Sequence, residues 1–252
     1  MTFYELYNIL NLCYTEDLRC EWDNDGIMCS DNLNREVNKV LIALDVTMDT
    51  VKYACENGFD TVISHHPLVF RSQKSLTPLA YTQNKLIALI KNGVGVMSFH
   101  TRLDASRGGV NDALASCIGL EDVVTDPLDP IGRIGTLSQE LELGGFAKSV
   151  KKALATPVVL YSGNKAVKKV YAVGGDGKDL IENAIENGCD TIVTGRASYN
   201  TAIDAKDMGI NIVEAGHFYT ENPVCDVLKA KIHELDSNIE VSVYNSNNIK
   251  FI

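Results

Sequence analysis

The sequence is short of basic residues, and this shortage argues against one large class of partners. It has 23 lysines and arginines against 33 aspartates and glutamates, so the formal net charge is −10 at neutral pH. A protein that binds the phosphates of DNA or RNA needs a positively charged face. We therefore do not expect a nucleic-acid partner.

Long apolar runs, a targeting leader and paired cysteines are also missing. No apolar stretch approaches the roughly 18 residues that a helix needs to cross a bilayer. The first residues, MTFYELYNILNLCYTED, have neither the basic start nor the apolar segment of a signal peptide. The seven cysteines are scattered and form no CxxC pair, which argues against a disulfide framework or a thiolate zinc site. We expect no membrane partner and a reducing, cytoplasmic location.

What the sequence does contain is an alternation of apolar strands and amphipathic helices. Hydrophobic residues make up 45% of the 252 residues, which is enough for a large core. Helices are predicted at 3–13, 49–57, 79–92 and about 110–118, and strands at 38–46, 60–64 and 94–99. Near-continuous apolar strands separated by helices predict an α/β fold with mostly parallel sheets covered by helices.

Part of the first half of the chain is repeated in the second. Residues 39–64 align with residues 169–194 without a gap, and nine of the 26 positions are identical. Unrelated segments would share only about one or two positions. The alternative is that any two strand–helix–strand units look alike, but both the order and the spacing of the elements agree. We predict two duplicated α/β halves, residues 1–125 and 126–252.

Polar residues with metal-binding side chains follow the predicted strands 60–64 and 94–99 and a third apolar strand, INIVEAG (210–216). They are His65, His66, His100, Asp104, His217 and Glu221. Ligands of open parallel sheets bind at the carboxyl ends of the strands, so we expect these side chains to face one site. The fifth histidine, His233, lies on a charged helical segment. Taken singly, a histidine at a strand end more often hydrogen-bonds to a backbone group.

Histidine and carboxylate without cysteine are typical ligands of zinc, manganese, iron or cobalt at sites that keep an open coordination position. Adjacent residues of an extended chain point to opposite sides, so His65 and His66 are expected to serve two neighbouring ions. If Glu221 bridges, one ion receives a histidine, Asp104 and Glu221, and the other receives the second histidine, His217 and Glu221. Two ions about 3.5–4 Å apart with a shared water are the arrangement of two-metal hydrolases.

Five segments resemble the GTP cyclohydrolase I type 2 homologues, also described as dinuclear metal centre or NGG-interacting-factor-like proteins. They are SHHPLVF (64–70), HTRLDASRGGVND (100–112), GHFYTE (216–221), EWDNDGIMCS (21–30) and GGDG (174–177). The resemblance runs over nearly the whole chain and implies two intertwined α/β halves, a two-metal site and a ring-shaped homohexamer. The family's metal ligands correspond to His65, His66, Asp104, His217 and Glu221.

The sequence departs from the family pattern at a few positions. In TGRASYN (194–200), Arg196 stands where an acid is usual and Asn200 where a histidine is usual. Arg102 replaces a small polar residue. Either arginine could bind a phosphate or carboxylate of a substrate, or could be a solvated loop residue. The only tryptophan, Trp22, is expected to have a core or packing role rather than to line the site.

These observations predict a dinuclear protein with two divalent cations per chain, zinc, iron or manganese. We expect it to be a metal-dependent hydrolase of a small nucleotide-like or phosphorylated molecule, with His100 as the candidate for proton transfer. The alternative is a non-catalytic metal-binding or regulatory protein. The expected ligand is a small-molecule substrate, and the chain is expected to assemble with copies of itself into a homohexamer.

Overall fold

The computed structural model describes residues 1–251 and confirms an α/β fold. The strands are β1 (Gly26–Cys29), β2 (Lys39–Ala43), β3 (Thr61–Ser64), β4 (Gly95–Ser98), β5 (Glu121–Thr125), β6 (Arg133–Leu141), β7 (Leu160–Ser162), β8 (Val167–Asp176), β9 (Thr191–Arg196), β10 (Asn211–Glu214) and β11 (Glu240–Tyr244). The helices are α1 (Phe3–Cys13), α2 (Met48–Glu56), α3 (Tyr81–Lys91), α4 (Thr101–Ala105), α5 (Val110–Cys117), α6 (Leu143–Ala153), α7 (Ile181–Glu186), α8 (Tyr199–Met208), α9 (His217–Glu221) and α10 (Pro223–Leu235). Among residues 1–251, no helix is long and apolar enough to cross a lipid bilayer.

Local capping chemistry sets where the first two helices begin. Thr2 and Glu5 form a capping box at α1, in which each side chain accepts a hydrogen bond from the other residue's backbone. Thr47 and Thr50 do the same at α2. Both helices therefore start within one residue of the predicted positions.

The chain forms two compact units whose boundary differs from the predicted one. The first unit comprises Met1–Leu103 and Cys225–Asn248, and the second is built from Asp104–Val224 and the last few residues. The predicted boundary after residue 125 lies at the end of β5, inside the second unit. The difference arises because α10 and β11 return to the first unit.

The sheet of the first unit is mostly parallel. Its strand order is β1-β4-β3-β2-β11, and only β1 is antiparallel to its neighbour. The core against this sheet includes the fully buried Leu41, Val62 and Val96 from three adjacent strands, with Leu89 from α3. The parallel strands β3 and β4 therefore end side by side, which places the residues after them at one edge.

The sheet of the second unit is mixed. Its order is β5-β6-β8-β9-β10-β7, and only β8, β9 and β10 pair in parallel. The strands β5, β6 and β7 pair antiparallel with their neighbours. Strands β5 and β6 are joined by a short loop, which allows antiparallel pairing, whereas a parallel pair needs a crossover of about a dozen residues. The prediction of mostly parallel sheets therefore describes the first sheet better than the second.

The duplicated segments share backbone contacts as well as sequence. In the first unit Val40 of β2 lies opposite Thr61 of β3, and 130 positions later Val170 lies opposite Thr191. An aspartate before each second strand accepts two amide hydrogen bonds: Asp60 from Asn38 and Lys39, and Asp190 from Lys168 and Lys169. The same strand–helix–strand construction is thus present twice, as the sequence repeat predicts.

Candidate metal centre

Three histidines lie together at the carboxyl edge of the first unit's parallel strands. His65 and His66 follow β3, and His100 follows the adjacent β4. The ring centroids are 4.9 Å apart for His65 and His66, 5.2 Å for His65 and His100, and 5.7 Å for His66 and His100. Since β3 ends at Ser64, His65 and His66 are not in a regular strand. Their rings therefore lie side by side, which differs from the expected opposite directions.

Each of these three imidazoles is held through Nδ1 by an oxygen atom. His65 Nδ1 donates to the Phe99 carbonyl at 3.0 Å, His66 Nδ1 to Asp45 Oδ1 at 2.8 Å, and His100 Nδ1 to Asp23 Oδ1 at 2.8 Å. These oxygens only accept, so the proton of each neutral ring sits on Nδ1 and the lone pair is at Nε2. Metal-ligating histidines in proteins are held in this way.

The two carboxylates that orient His66 and His100 were not identified from the sequence. Asp23 is buried, and its Oδ2 accepts hydrogen bonds from the Thr101 amide at 3.0 Å and the Thr101 hydroxyl at 2.7 Å. Burial raises the pKa of Asp23, but the hydrogen bonds from His100 and Thr101 outweigh it and lower the pKa to about 2. Asp45 follows β2, so a wider search of strand ends would have found it.

The second unit contributes three further side chains that could bind a metal. Two of them, Asp104 and His217, lie beside the carboxylate of the third, Glu221. His217 and Glu221 lie one turn apart on α9, with His217 Nε2 3.0 Å from Glu221 Oε2. Asp104 offers a carboxylate oxygen within 4.8 Å of one from Glu221. Glu221 is only 5% exposed. It is therefore the shared neighbour of Asp104 and His217, which is the position predicted for a bridging ligand.

A glycine turn after the apolar part of β8 makes room for the Glu221 carboxylate. Gly175 has a φ of +65°, and a Cβ added there would lie 2.3 Å from Glu221 Oε1. Its amide donates to Thr220 Oγ1 at 3.2 Å, and the hydroxyl of Thr220 in turn donates to the His217 carbonyl. The GGDG turn therefore holds the start of α9 against β8.

The amides of this turn are already used inside the second unit. The Gly174 amide donates to Asn111 Oδ1 at 2.6 Å, and the Gly177 amide donates to Thr194 Oγ1 at 3.0 Å. These bonds make the turn a tight connection rather than a phosphate cradle.

Arg102 is neither a solvated loop residue nor a group turned toward a substrate. It is fully buried, its Nε donates to Asp25 Oδ2 at 2.8 Å, and its Nη1 donates to the Tyr14 carbonyl at 3.1 Å. Its guanidinium lies 4.6 Å from the centroid of the Phe99 ring. Arg102 therefore stabilises the fold next to the histidines. Arg196, by contrast, is exposed at the end of β9.

The donors in the two units fit divalent cations of the zinc, iron or manganese type. The first unit supplies imidazole nitrogens whose tautomer is fixed by oxygen acceptors, and the second supplies two carboxylates and an imidazole. None of the donor groups found among residues 1–251 contains a cysteine. Such nitrogen and oxygen sets suit borderline divalent metals, whereas thiolate-rich sets are typical of structural zinc sites.

Comparison with known proteins shows one family along the whole chain. A family model described as Duf34/NIF3 (NGG1p interacting factor 3) matches residues 1–250. A protein named GTP cyclohydrolase 1 type 2 homolog from Clostridium perfringens is 34% identical over 252 residues, covering 96% of both chains. A protein of the same name from Clostridium acetobutylicum is 30% identical, covering 96% of this chain and 95% of its own.

Solved structures share the fold. Staphylococcus aureus protein SA1388 superposes with a TM-score of 0.92 at 26% identity, covering 100% of this chain and 99% of its own. Reduced HcgD from Methanocaldococcus jannaschii superposes with a TM-score of 0.82 at 27% identity, covering 96% of this chain and 97% of its own.

Proposed function

Because this chain belongs to the Duf34/NIF3 (NGG1p interacting factor 3) family, we propose that it is a metal-dependent hydrolase of a small nucleotide-like or phosphorylated molecule. The observation that carries the proposal is the three-histidine cluster, His65, His66 and His100, in which every Nδ1 is held by an oxygen. A single strand-end histidine is often held by a backbone group, but three neighbouring imidazoles that are all held through Nδ1 match the way in which metal ligands are oriented.

The proposed ligands are the five residues predicted from the sequence. We assign two divalent cations to His65, His66, Asp104, His217 and Glu221, with Glu221 shared between them because it neighbours both Asp104 and His217. When bound, two such cations supply an activated water and positive charge for the attacking and leaving oxygens of a hydrolysis.

His100 is proposed as the proton-transfer residue. Its Nδ1 donates to the buried Asp23 carboxylate, so Nε2 can take up a proton while Asp23 stabilises the imidazolium that forms. His100 also offers a ring nitrogen within 4.8 Å of those of His65 and His66, close enough to be a ligand itself. Metal analysis of His100→Ala separates these roles: a proton carrier leaves the metal content unchanged while the rate falls by about 10²- to 10⁴-fold.

The ligand assignment is tested by metal content. Three protein ligands per ion leave no redundancy, so His66→Ala, Asp104→Ala and Glu221→Ala should each lose at least one of two equivalents, and Glu221→Ala should lose the most. His233→Ala, on α10, is the matched control and should change nothing. Metal content that stays near two per chain in all three variants contradicts the assignment.

The hydrolase activity is tested with a panel of nucleotides and phosphate esters. Turnover should vanish with a chelator, return with a divalent ion and fall by about 10²-fold or more in Asp104→Asn. The alternative, a non-catalytic metal-binding or regulatory protein, predicts full metal content and no turnover of any compound. The chain has Asn200, on the exposed side of α8, where the family usually has a histidine. Because this family residue is missing, the non-catalytic alternative is tested beside the hydrolase.

The setting of the proposed enzyme follows from the family resemblance and the charge. We propose that it works as a homohexamer in the cytoplasm, on a small molecule rather than on nucleic acid. The net charge of −10 supports the last point, because polyanions are repelled by an acidic protein.

A further inference from the structure

Two aromatic side chains are exposed beside the three-histidine cluster. Trp22, the only tryptophan of the chain, is 63% exposed, and Phe70 is 47% exposed. Trp22 is therefore not part of the core, and its packing is with Phe70 and His100 at the surface. Single exposed apolar side chains are common on protein surfaces, and Tyr81 and Tyr199 are also largely exposed. Trp22 and Phe70 differ from these because they lie next to each other and next to His100.

The two rings meet His100 in a nearly perpendicular arrangement. The Trp22 centroid lies 6.2 Å from that of Phe70 and 6.1 Å from that of His100, and the Phe70 and His100 centroids are 6.3 Å apart. The interplanar angles are 61°, 76° and 83°. We call Trp22 and Phe70 the aromatic corner. One side of the corner is the imidazole that we assign to proton transfer.

Hydrogen bonds tie the aromatic corner to the histidine cluster. Asp23, next to Trp22, accepts from His100 Nδ1. Asn24 Nδ2 donates to the Val69 carbonyl, next to Phe70. The two loops that carry the rings are thus joined to each other and to His100, which holds the exposed rings in place before any ligand arrives.

We infer that the aromatic corner is the subsite for a planar heteroaromatic ring of the substrate, of the size and kind of a nucleobase. This inference rests on the proposed function and narrows its substrate class to a phosphorylated molecule that carries such a ring. Two aromatic faces give a ring surfaces on which to stack, and stacking tolerates different ring identities. The corner is too small for a protein partner by itself, because a stable protein interface buries about 800 Å² on each side.

The single tryptophan allows a direct test that does not require turnover. The fluorescence of Trp22 is excited selectively in the metal-loaded protein while GMP is added. The emission intensity should change with GMP concentration and reach a plateau. Ribose 5-phosphate, which keeps the sugar and phosphate but lacks the ring, should bind at least about tenfold more weakly. For variants that lack the tryptophan, the binding of GMP and of ribose 5-phosphate is measured by calorimetry.

Matched variants locate the effect. Phe70→Leu keeps an apolar side chain but removes the ring, and it should weaken GMP binding about tenfold without changing ribose 5-phosphate binding. Tyr4→Leu, at 46% exposure on α1, is the control for losing an exposed ring and should bind GMP normally. Circular dichroism confirms that each variant is folded. Trp22→Ala, followed by calorimetry, should match Phe70→Leu.

Several results overturn the inference. One is equal binding of GMP and ribose 5-phosphate. Another is GMP binding that is unchanged in both Phe70→Leu and Trp22→Ala. A third is Trp22 emission that depends on protein concentration alone, because the aromatic corner would then be a contact between copies of the chain. The outcomes are distinct from those of the proposed function. Ring-dependent binding without hydrolysis of any compound refutes the hydrolase and keeps the subsite. Hydrolysis of a ring-bearing ester at a rate that neither Phe70→Leu nor Trp22→Ala changes refutes the subsite and keeps the hydrolase.

Discussion

Replacing Gly175 by alanine should damage the proposed metal centre far more than the fold. The substitution has two costs. The backbone at φ +65° is unfavourable for alanine by roughly 1–2 kcal/mol. In addition, the new Cβ would lie 2.3 Å from Glu221 Oε1, so the carboxylate must retreat by about 1 Å to reach an ordinary contact distance. Because that oxygen is the end of a flexible side chain, the retreat costs the fold little and moves the proposed bridging ligand.

Gly188→Ala is a control with the same backbone cost and no collision. Its φ is +68°, and the nearest atom to an added Cβ is Lys169 Nζ at 4.0 Å. Both variants should therefore lower the free energy of unfolding by roughly 1–2 kcal/mol, measured by urea denaturation of the metal-free protein. Only Gly175→Ala should also weaken metal binding, by about 10- to 100-fold, as displaced or unsupported ligands do.

The assay is a titration with zinc or manganese against a chelating competitor, with Glu221→Ala as the limit of a lost ligand. The reasoning is refuted if Gly175→Ala binds metal as tightly as Gly188→Ala. A Gly175→Ala variant that is much less stable than Gly188→Ala would also contradict it, because the collision would then be with the fold rather than with a movable carboxylate.

Three further predictions concern stability and assembly. Burial raises the pKa of Asp126, but hydrogen bonds from the Leu128 amide and Tyr171 outweigh it and hold the pKa below its usual range. The resulting stability is present above a pH of about 4 and is lost as the pH falls further, so Asp126→Asn should flatten the acid side of a plot of unfolding free energy against pH. Arg102→Met removes the shorter of the two ion pairs of the buried Asp25 and leaves it only Arg19 at 3.4 Å, so it should cost about 3 kcal/mol in urea denaturation, whereas the exposed Arg196→Met should change stability by less than about 0.5 kcal/mol. Light scattering should report a homohexamer, and a stable monomer at micromolar concentration would contradict that proposal.

Periodicity in the sequence was sufficient to predict much of the fold. The helix predicted at 3–13 is present as Phe3–Cys13, and the strand predicted at 60–64 as Thr61–Ser64. Both signals are local, because helical spacing, capping residues and β-branched runs act over a few neighbours. The candidate metal-binding residues could be singled out for a related reason: the carboxyl end of a strand is recognisable in the sequence once the strand itself is.

Features that depend on contacts between distant segments were not predictable. Nothing in the residues of β11 shows that they pair with β2, and the antiparallel pairing of β6 with β8 is equally a matter of tertiary contact. The positions of Arg102 and Trp22 illustrate the same limit. The arginine is buried because Asp25 lies beside it, and the tryptophan is exposed because its loop is tied to His100 through Asp23.

The long separation in sequence between β2 and β11 has a consequence for synthesis of the chain. Strand β2 borders β11, and the Asp45 amide donates to the Ser246 hydroxyl across 201 positions of sequence. As the protein emerges from the ribosome, the outer edge of β2 therefore stays unpaired until synthesis has passed β11, and an unpaired apolar strand invites aggregation. A chain that stops before β11 loses this edge strand and also Ser246. Ser246 contacts Asp45, and Asp45 is the residue that orients His66. The contact of Ser246 with Asp45, which supports His66, is thus available only after synthesis has passed β11.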